Sequence, residues 1–134
     1  MTGKCRKGAV FNPSQCLETV TAADGPRFLV DYGLGGTAKL GVIRLQADGR
    51  ENMWERHPQG DELLIILAGR LTMTMKSEGC EGGLADYPLG PGDVLFVPRG
   101  VPHAAELHTE EVQILFLSPV QGTEVWHEVV ARVG

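Results

Sequence analysis

Trp54-Glu55-Arg56-His57-Pro58-Gln59-Gly60-Asp61-Glu62 is the stretch on which the reading of this chain turns. Glu55 and His57 are two residues apart, so on an extended strand both side chains point to one face. Glu62, five residues beyond His57, would fall on the opposite face of a straight strand. Pro58-Gln59-Gly60 interrupts it with a turn. A new strand opening at Asp61 then returns Glu62 to the same interior, in register with Leu64 and Ile66. Three ligand-type side chains converge from two adjoining strands.

A second stretch has the same logic. Gly92-Asp93-Val94-Leu95-Phe96-Val97-Pro98-Arg99-Gly100-Val101-Pro102-His103 reads as a strand, a Pro/Gly turn and a returning strand that opens on His103. His103 shares a face with Ala105 and Leu107, a small and an apolar neighbour that leave space beside the imidazole.

Outward from these segments the pattern is of short strands punctuated by Gly, Pro and Asp. Strands are expected at Arg27–Asp31, Ala38–Gln46, Leu63–Leu67, Leu71–Met75, Val94–Val97, Pro102–Leu107, Val112–Ser118 and Val125–Val130. Leu71, Met73 and Met75 alternate with Thr72 and Thr74, the period of two that marks a strand. Leu63–Leu67 is apolar on both faces, as expected of a strand buried between sheets. Ser77–Asp86, rich in Gly and acidic residues, is expected to be a surface loop of open role. Phe11–Ala23 suits one short helix or a strand. No segment has the length and i, i+3, i+4 periodicity of a core helix. Many short strands at this spacing predict an all-β sandwich or barrel, closed as in a jelly roll to remove exposed edges.

The 134 residues suit one domain, and 43% apolar and 22% charged residues are ordinary for a soluble protein. With 18 Gly and 8 Pro, turns rather than long helices are expected. A net charge of -5 argues against nucleic-acid binding, because no basic stripe is present to neutralise phosphates. Lys4, Arg6 and Lys7 read as a solvated tail. Cys5, Cys16 and Cys80 are odd in number and form no C-x-x-C pair, so free thiols in a reducing compartment are expected. The basic N-terminus is followed by no continuous apolar stretch, and Leu63–Ala68 is too short to span a bilayer, so no membrane association and a cytoplasmic location are expected.

At this point the chain resembles the cupin superfamily, in particular small single-domain, RmlC-like members. The family's first motif, in outline G-x5-H-x-H-x3,4-E-x6-G, is met by Gly49-x5-Glu55-x-His57-x4-Glu62-x6-Gly69. The second, G-x5-P-x-G-x2-H-x3-N, is met by Gly92-x5-Pro98-x-Gly100-x2-His103, with Leu107 in place of the terminal Asn. The resemblance implies a double-stranded β-helix (jelly-roll barrel) over residues 26–134, preceded by an arm and first strand over residues 1–25. It also implies one divalent metal ion held by His57, Glu62 and His103. Glu55 stands where the family's first His would be; isomerase-type cupins with a polar residue there make it a further ligand, or alternatively a catalytic acid or base.

The ligand chemistry suits retention of a metal. Two imidazoles and one carboxylate leave coordination positions open, and mixed N/O ligation suits Fe(II), Mn(II), Zn(II) or Ni(II). With Glu55 the two carboxylates balance a divalent charge, whereas two buried carboxylates without an ion would take up protons. The resemblance therefore implies an enzyme acting on a small polar molecule, dioxygenase-like by its two-His-one-carboxylate core or isomerase-like by Glu55. The competing readings are a small-ligand-binding or sensor cupin without turnover, and a degenerate cupin without metal. The family also implies a homodimer. Met73 and Met75 read as core filler, Trp54 and Phe96 as core or rim packing, and His108 and His127 as structural or exposed. Arg44 and Gln46 fit either the cavity mouth or a solvated face.

Overall fold

The computed structural model describes residues 7–24, 29, 33, 36–76 and 83–131. Its strands in chain order are β1 (Ala9–Phe11), β2 (Lys39–Gln46), β3 (Met53–Arg56), β4 (Glu62–Ala68), β5 (Leu71–Lys76), β6 (Leu84–Leu89), β7 (Val94–Val97), β8 (His103–Leu107), β9 (Glu111–Ser118) and β10 (Glu124–His127). Among the described residues between β1 and β2 are a short helix, α1 (Pro13–Leu17), and a 3-10 turn. Asn12 caps α1 by accepting from the Gln15 amide, and Pro13 fills the first turn, where a missing N–H costs nothing.

Two five-stranded sheets result, ordered β1-β7-β4-β9-β2 and β10-β3-β8-β5-β6, with every pairing antiparallel. Their inner faces share one core. Leu45, Leu64, Ile66, Leu95, Val97, Val112 and Ile114 come from the first sheet, and Leu71, Met73, Met75 and Leu89 from the second. This is the all-β jelly roll expected from the sequence, although the two sheets are not joined edge to edge among the described residues.

Three local expectations need correction. The loop expected over Ser77–Asp86 ends earlier, because Leu84–Leu89 forms β6 against β5. Pro88 hid this strand; it is tolerated because β6 is the edge of its sheet, where no outer neighbour needs its missing N–H. Asp86 accepts a hydrogen bond from the Thr74 hydroxyl across the β5–β6 pair. β4 is not buried on both faces: Leu64 and Ile66 are buried, whereas Leu67 is 51% exposed at a bulge before Gly69. β10 stops at His127 rather than running to Val130. The strand expected at Arg27–Asp31 lies outside the described residues, Leu29 apart, and so do Cys5 and Cys80. Cys16 is a free thiol.

Gly69 makes the β4–β5 turn with φ 89°, and a Cβ there would lie 2.4 Å from the Glu111 carbonyl oxygen. Both the left-handed backbone and the closeness of β9 therefore demand glycine at this position. The turn between β3 and β4 is tied to the turn between β7 and β8. The Gly100 amide donates to the His57 carbonyl at 2.9 Å, the Arg99 amide to Asp61 Oδ1 at 2.7 Å, and Arg99 Nε to the Pro58 carbonyl at 2.7 Å. Asp61 Oδ2 also accepts from the Gly33 amide at 2.6 Å. These bonds hold the two motif segments, far apart in sequence, in one fixed relation.

Candidate metal centre

Glu55 lies on β3, His57 just beyond its end, Glu62 at the start of β4 and His103 at the start of β8. The register sets Glu55 directly opposite His103 across the β3–β8 pair, so their side chains share the inner face. The Pro58–Gly60 turn swings the chain from the second sheet into the first and brings Glu62 in from the facing sheet. The structure thus gathers all four residues: one ligand-type atom from each lies within 4.8 Å of the others.

The contacts are close. His57 Nε2 is 2.9 Å from Glu55 Oε1 and 2.9 Å from Glu62 Oε2; His103 Nε2 is 3.6 Å from Glu55 Oε1 and 3.3 Å from Glu62 Oε1. Two donors each about 2.1 Å from one cation stand roughly 3 to 4 Å apart, so these spacings are those of a shared coordination shell. His57, Glu62 and His103 are each 5% exposed, whereas the Glu55 side chain is 41% exposed and faces the opening.

The far ring nitrogens fix the histidine tautomers. His103 Nδ1 lies 3.0 Å from the Val101 carbonyl oxygen, which only accepts, so this nitrogen carries the proton. His57 Nδ1 lies 2.9 Å from Thr123 Oγ1, and the Thr123 hydroxyl already donates to the Val120 carbonyl at 2.7 Å. The hydroxyl oxygen therefore accepts from His57. In the neutral rings both Nε2 lone pairs then face the carboxylates, the outer arrangement that orients imidazole ligands in metal sites. His57 Nε2 and Glu62 Oε1 are buried and, despite their neighbours' proximity, make no hydrogen bond of acceptable angle among the described residues. Four electron-pair donors aimed at one point, two of them orphaned, fit a divalent cation.

A cavity of about 390 Å³ opens beside the cluster. Its walls are largely apolar, with Ile43, Leu45, Leu64, Ile114 and Phe116 from the first sheet and Met53, Met73, Ala105 and Val125 from the second side. Apart from the cluster, its polar lining consists of Arg50, Ser118 and Thr123. None of these three stood out in the sequence: Arg50 fills an unspecified position of the first motif, and Ser118 and Thr123 lie beyond both motifs.

The remaining sequence candidates fall elsewhere. Arg44 is on the outer face of β2, where it pairs with Glu111, and Gln46 bonds the same carboxylate; neither lines the cavity. His108 bonds Thr72 away from the cluster, and His127 is exposed. Met73 and Met75 are buried in the core. Trp54, 4% exposed, lies on the outer face of β3, donating to the Glu128 carbonyl under Lys76 Nζ. Tyr87 accepts from the Gly8 amide.

Residues 41–119, more than half of the chain, match the family model for a cupin domain. The chain belongs to the cupin family. The fold of this cupin is similar to that of oxalate decarboxylase from Bacillus subtilis, a protein with Mn(II) centres, at TM-score 0.53 and 14% identity. That match covers 95% of this chain but only 29% of the decarboxylase. Weaker likenesses link it to a DUF861 family protein of Thermotoga maritima (TM-score 0.49, 15% identity, 82% of this chain and 97% of that one). RmlC from Streptococcus suis, seen in complex with dTDP-D-xylose, matches at TM-score 0.46 and 17% identity, over 71% of this cupin and 46% of RmlC. The sequence matches no curated protein. No helix among the described residues is long and apolar enough to cross a membrane, which leaves strands out of account.

The electrostatics of the metal-free cluster follow from its geometry. Burial pushes both imidazoles down, and the two carboxylates outweigh it, raising His57 to about 9 and His103 to about 10. Burial pushes both carboxyls up, and the imidazoles outweigh it, lowering Glu62 to about 2 and holding Glu55 well below the usual range. At neutral pH the cluster without metal thus carries two imidazolium and two carboxylate charges. A divalent ion replaces the two imidazolium protons with no change in net charge. Metal binding at pH 7.5 is therefore expected to release about two protons per ion, with affinity rising by up to about 100-fold per pH unit below pH 9. Zinc titrations by calorimetry in buffers of different ionisation enthalpy check this; binding with release of no proton would contradict the doubly protonated state of the metal-free imidazoles.

Proposed function

We propose that this chain is a metal-dependent cupin that acts on a small molecule, with His57, Glu62, His103 and Glu55 as ligands to one divalent ion. The observation that supports this most is the convergence of four ligand atoms beside an open cavity. When bound, such an ion supplies Lewis-acid polarisation of substrate oxygens or a centre for oxygen chemistry. Mixed imidazole and carboxylate ligation suits Fe(II), Mn(II), Zn(II) or Ni(II).

The chain's own residues divide the work. His57, Glu62 and His103 are buried and held by Thr123, Val101 and the strand ladders, so they form the fixed part of the site. Glu55 is the exchangeable member: it is exposed towards the cavity, and its Oε1 is farther from His103 than from His57. Exposed towards the cavity beside the other three groups, Glu55 is the group placed to accept a proton from a bound molecule. This supports an isomerase-like reaction, while the buried two-His-one-carboxylate remainder supports a dioxygenase-like one.

A binding or sensor role without turnover is the second reading. It is favoured by the apolar walls and by the lack, among the described cavity residues other than the cluster, of any side chain suited to general acid-base work at neutral pH. We also take residues 1–25 as an arm to a cupin unit over 26–134, working as a homodimer, the commonest closed assembly. Light scattering that finds only monomer would overturn the dimer.

Metal analysis of protein purified without chelators tests the metal reading. Wild type is expected to carry about one ion per chain, His57→Ala and His103→Ala less than roughly a tenth of that, and Glu55→Gln an intermediate amount. Wild type with less than roughly a tenth of an equivalent after supply of each of the four metals would reject the proposal.

A further inference from the structure

Two buried polar groups in the cavity wall have no partner, and neither belongs to the metal cluster. Ser118 is 2% exposed, and its Oγ makes no hydrogen bond among the described residues. Arg50 Nε is likewise buried without a hydrogen bond among the described residues, and its Nη1 lies 3.8 Å from Met53 Sδ. Leaving a buried donor unmade costs the full desolvation of that group, so such pairs in a cavity wall mark where a ligand supplies the missing partner.

The strand register places these groups at opposite ends of the cavity. Leu63 pairs with Leu117, so Ser118 stands beside Glu62 at the cluster end. Met53 shares a face with Glu55 about 7 Å back along β3, and Arg50 lies three residues before Met53, at the far end. Between them the walls are apolar. Arg50 also borders an outer groove with Glu51, Glu106 and Glu128, but forms an ion pair with none of them.

Charge decides the ligand class. On the metal-site reading, on which this step rests, a divalent ion is neutralised by Glu55 and Glu62, and the imidazoles are neutral. Arg50 is the one cationic side chain among the described residues that line the cavity, and it has no ion-pair partner among them. A guanidinium at the wall of a largely apolar cavity is best matched by an anionic oxygen acceptor, which forms charge-assisted hydrogen bonds.

We propose that the cavity takes a small organic monoanion with an apolar body, its anionic group paired with Arg50 and its opposite, polar end hydrogen-bonded by Ser118 beside the cluster. A short ω-hydroxy or oxo carboxylate has this form. A dianion leaves one charge unpaired, and a neutral molecule leaves Arg50 Nε without a charged acceptor.

The test is calorimetric binding of three probes, 6-hydroxyhexanoate, 6-hydroxyhexanamide and hexanoate, to zinc-loaded protein. The hydroxy acid is expected to bind at least roughly tenfold tighter than its amide in wild type and in Arg50→Lys, and less than about twofold tighter in Arg50→Gln. Its advantage over hexanoate is expected to vanish in Ser118→Ala. Zinc content and melting temperature of each variant report loading and folding. Equal binding of acid and amide by wild type overturns the proposal. So does a preference unchanged in folded, zinc-loaded Arg50→Gln, because the carboxylate then binds the ion itself. Wild type that takes up no zinc yet shows an Arg50-dependent preference for the acid would reject the metal reading while sustaining the Arg50 pairing.

Discussion

Two imidazole nitrogens and two carboxylates meet across the interior of this fold at separations of 2.9 to 3.6 Å, and that meeting constrains everything around it. Left to themselves, two carboxylates in an apolar interior repel and take up protons. Here the imidazoles hold them ionised by carrying protons of their own. The resulting cluster has the same charge whether two imidazoles are protonated or one divalent ion is bound between them. Such an arrangement leaves no net charge on the four groups in either state. It also makes metal affinity a matter of pH, since each ion must displace protons.

The scaffold serves that geometry from outside the cluster. Thr123 and the Val101 carbonyl hold the Nδ1 protons, so it is Nε2 of each ring that faces inward and offers a lone pair once its proton is lost. Asp61 and the Gly100 amide bind the turn that carries His57 and Glu62 to the turn that leads into His103. Asp61 reaches the Arg99 amide across 38 positions of sequence, so one carboxylate fixes the relation between the two halves of the site. The apolar walls then exclude water from one side of the donors while the cavity leaves the other side open. Glu55 is exposed at that opening, against three buried partners.

Much of this was legible in the residues. The period-two alternation at Leu71–Met75 and the Pro/Gly turns announced strands, and the His57, Glu62 and His103 spacings pointed to the cupin family. What escaped did so for physical reasons. β6 carries a proline that only its edge position makes tolerable, and an edge position is a property of the assembled sheet. Asp61 reads as one more acidic turn residue until its partners at Gly33 and Arg99 are seen. Arg50, Ser118 and Thr123 acquire meaning only when the facing sheets bring them to one cavity, since Arg50 fills an unspecified position of the first motif and the other two lie beyond both. The chemistry performed there is less legible still, because one barrel with one metal shell serves many reactions.

The most direct test of the account is a crystal structure of the zinc- or manganese-loaded protein, with anomalous scattering recorded at the metal's absorption edge. The account predicts a single strong peak among His57 Nε2, His103 Nε2, Glu62 and Glu55, about 2.0 to 2.3 Å from the nitrogen and oxygen ligands. A peak bound elsewhere on the chain, with these four side chains hydrogen-bonded only to one another or to water, would contradict it.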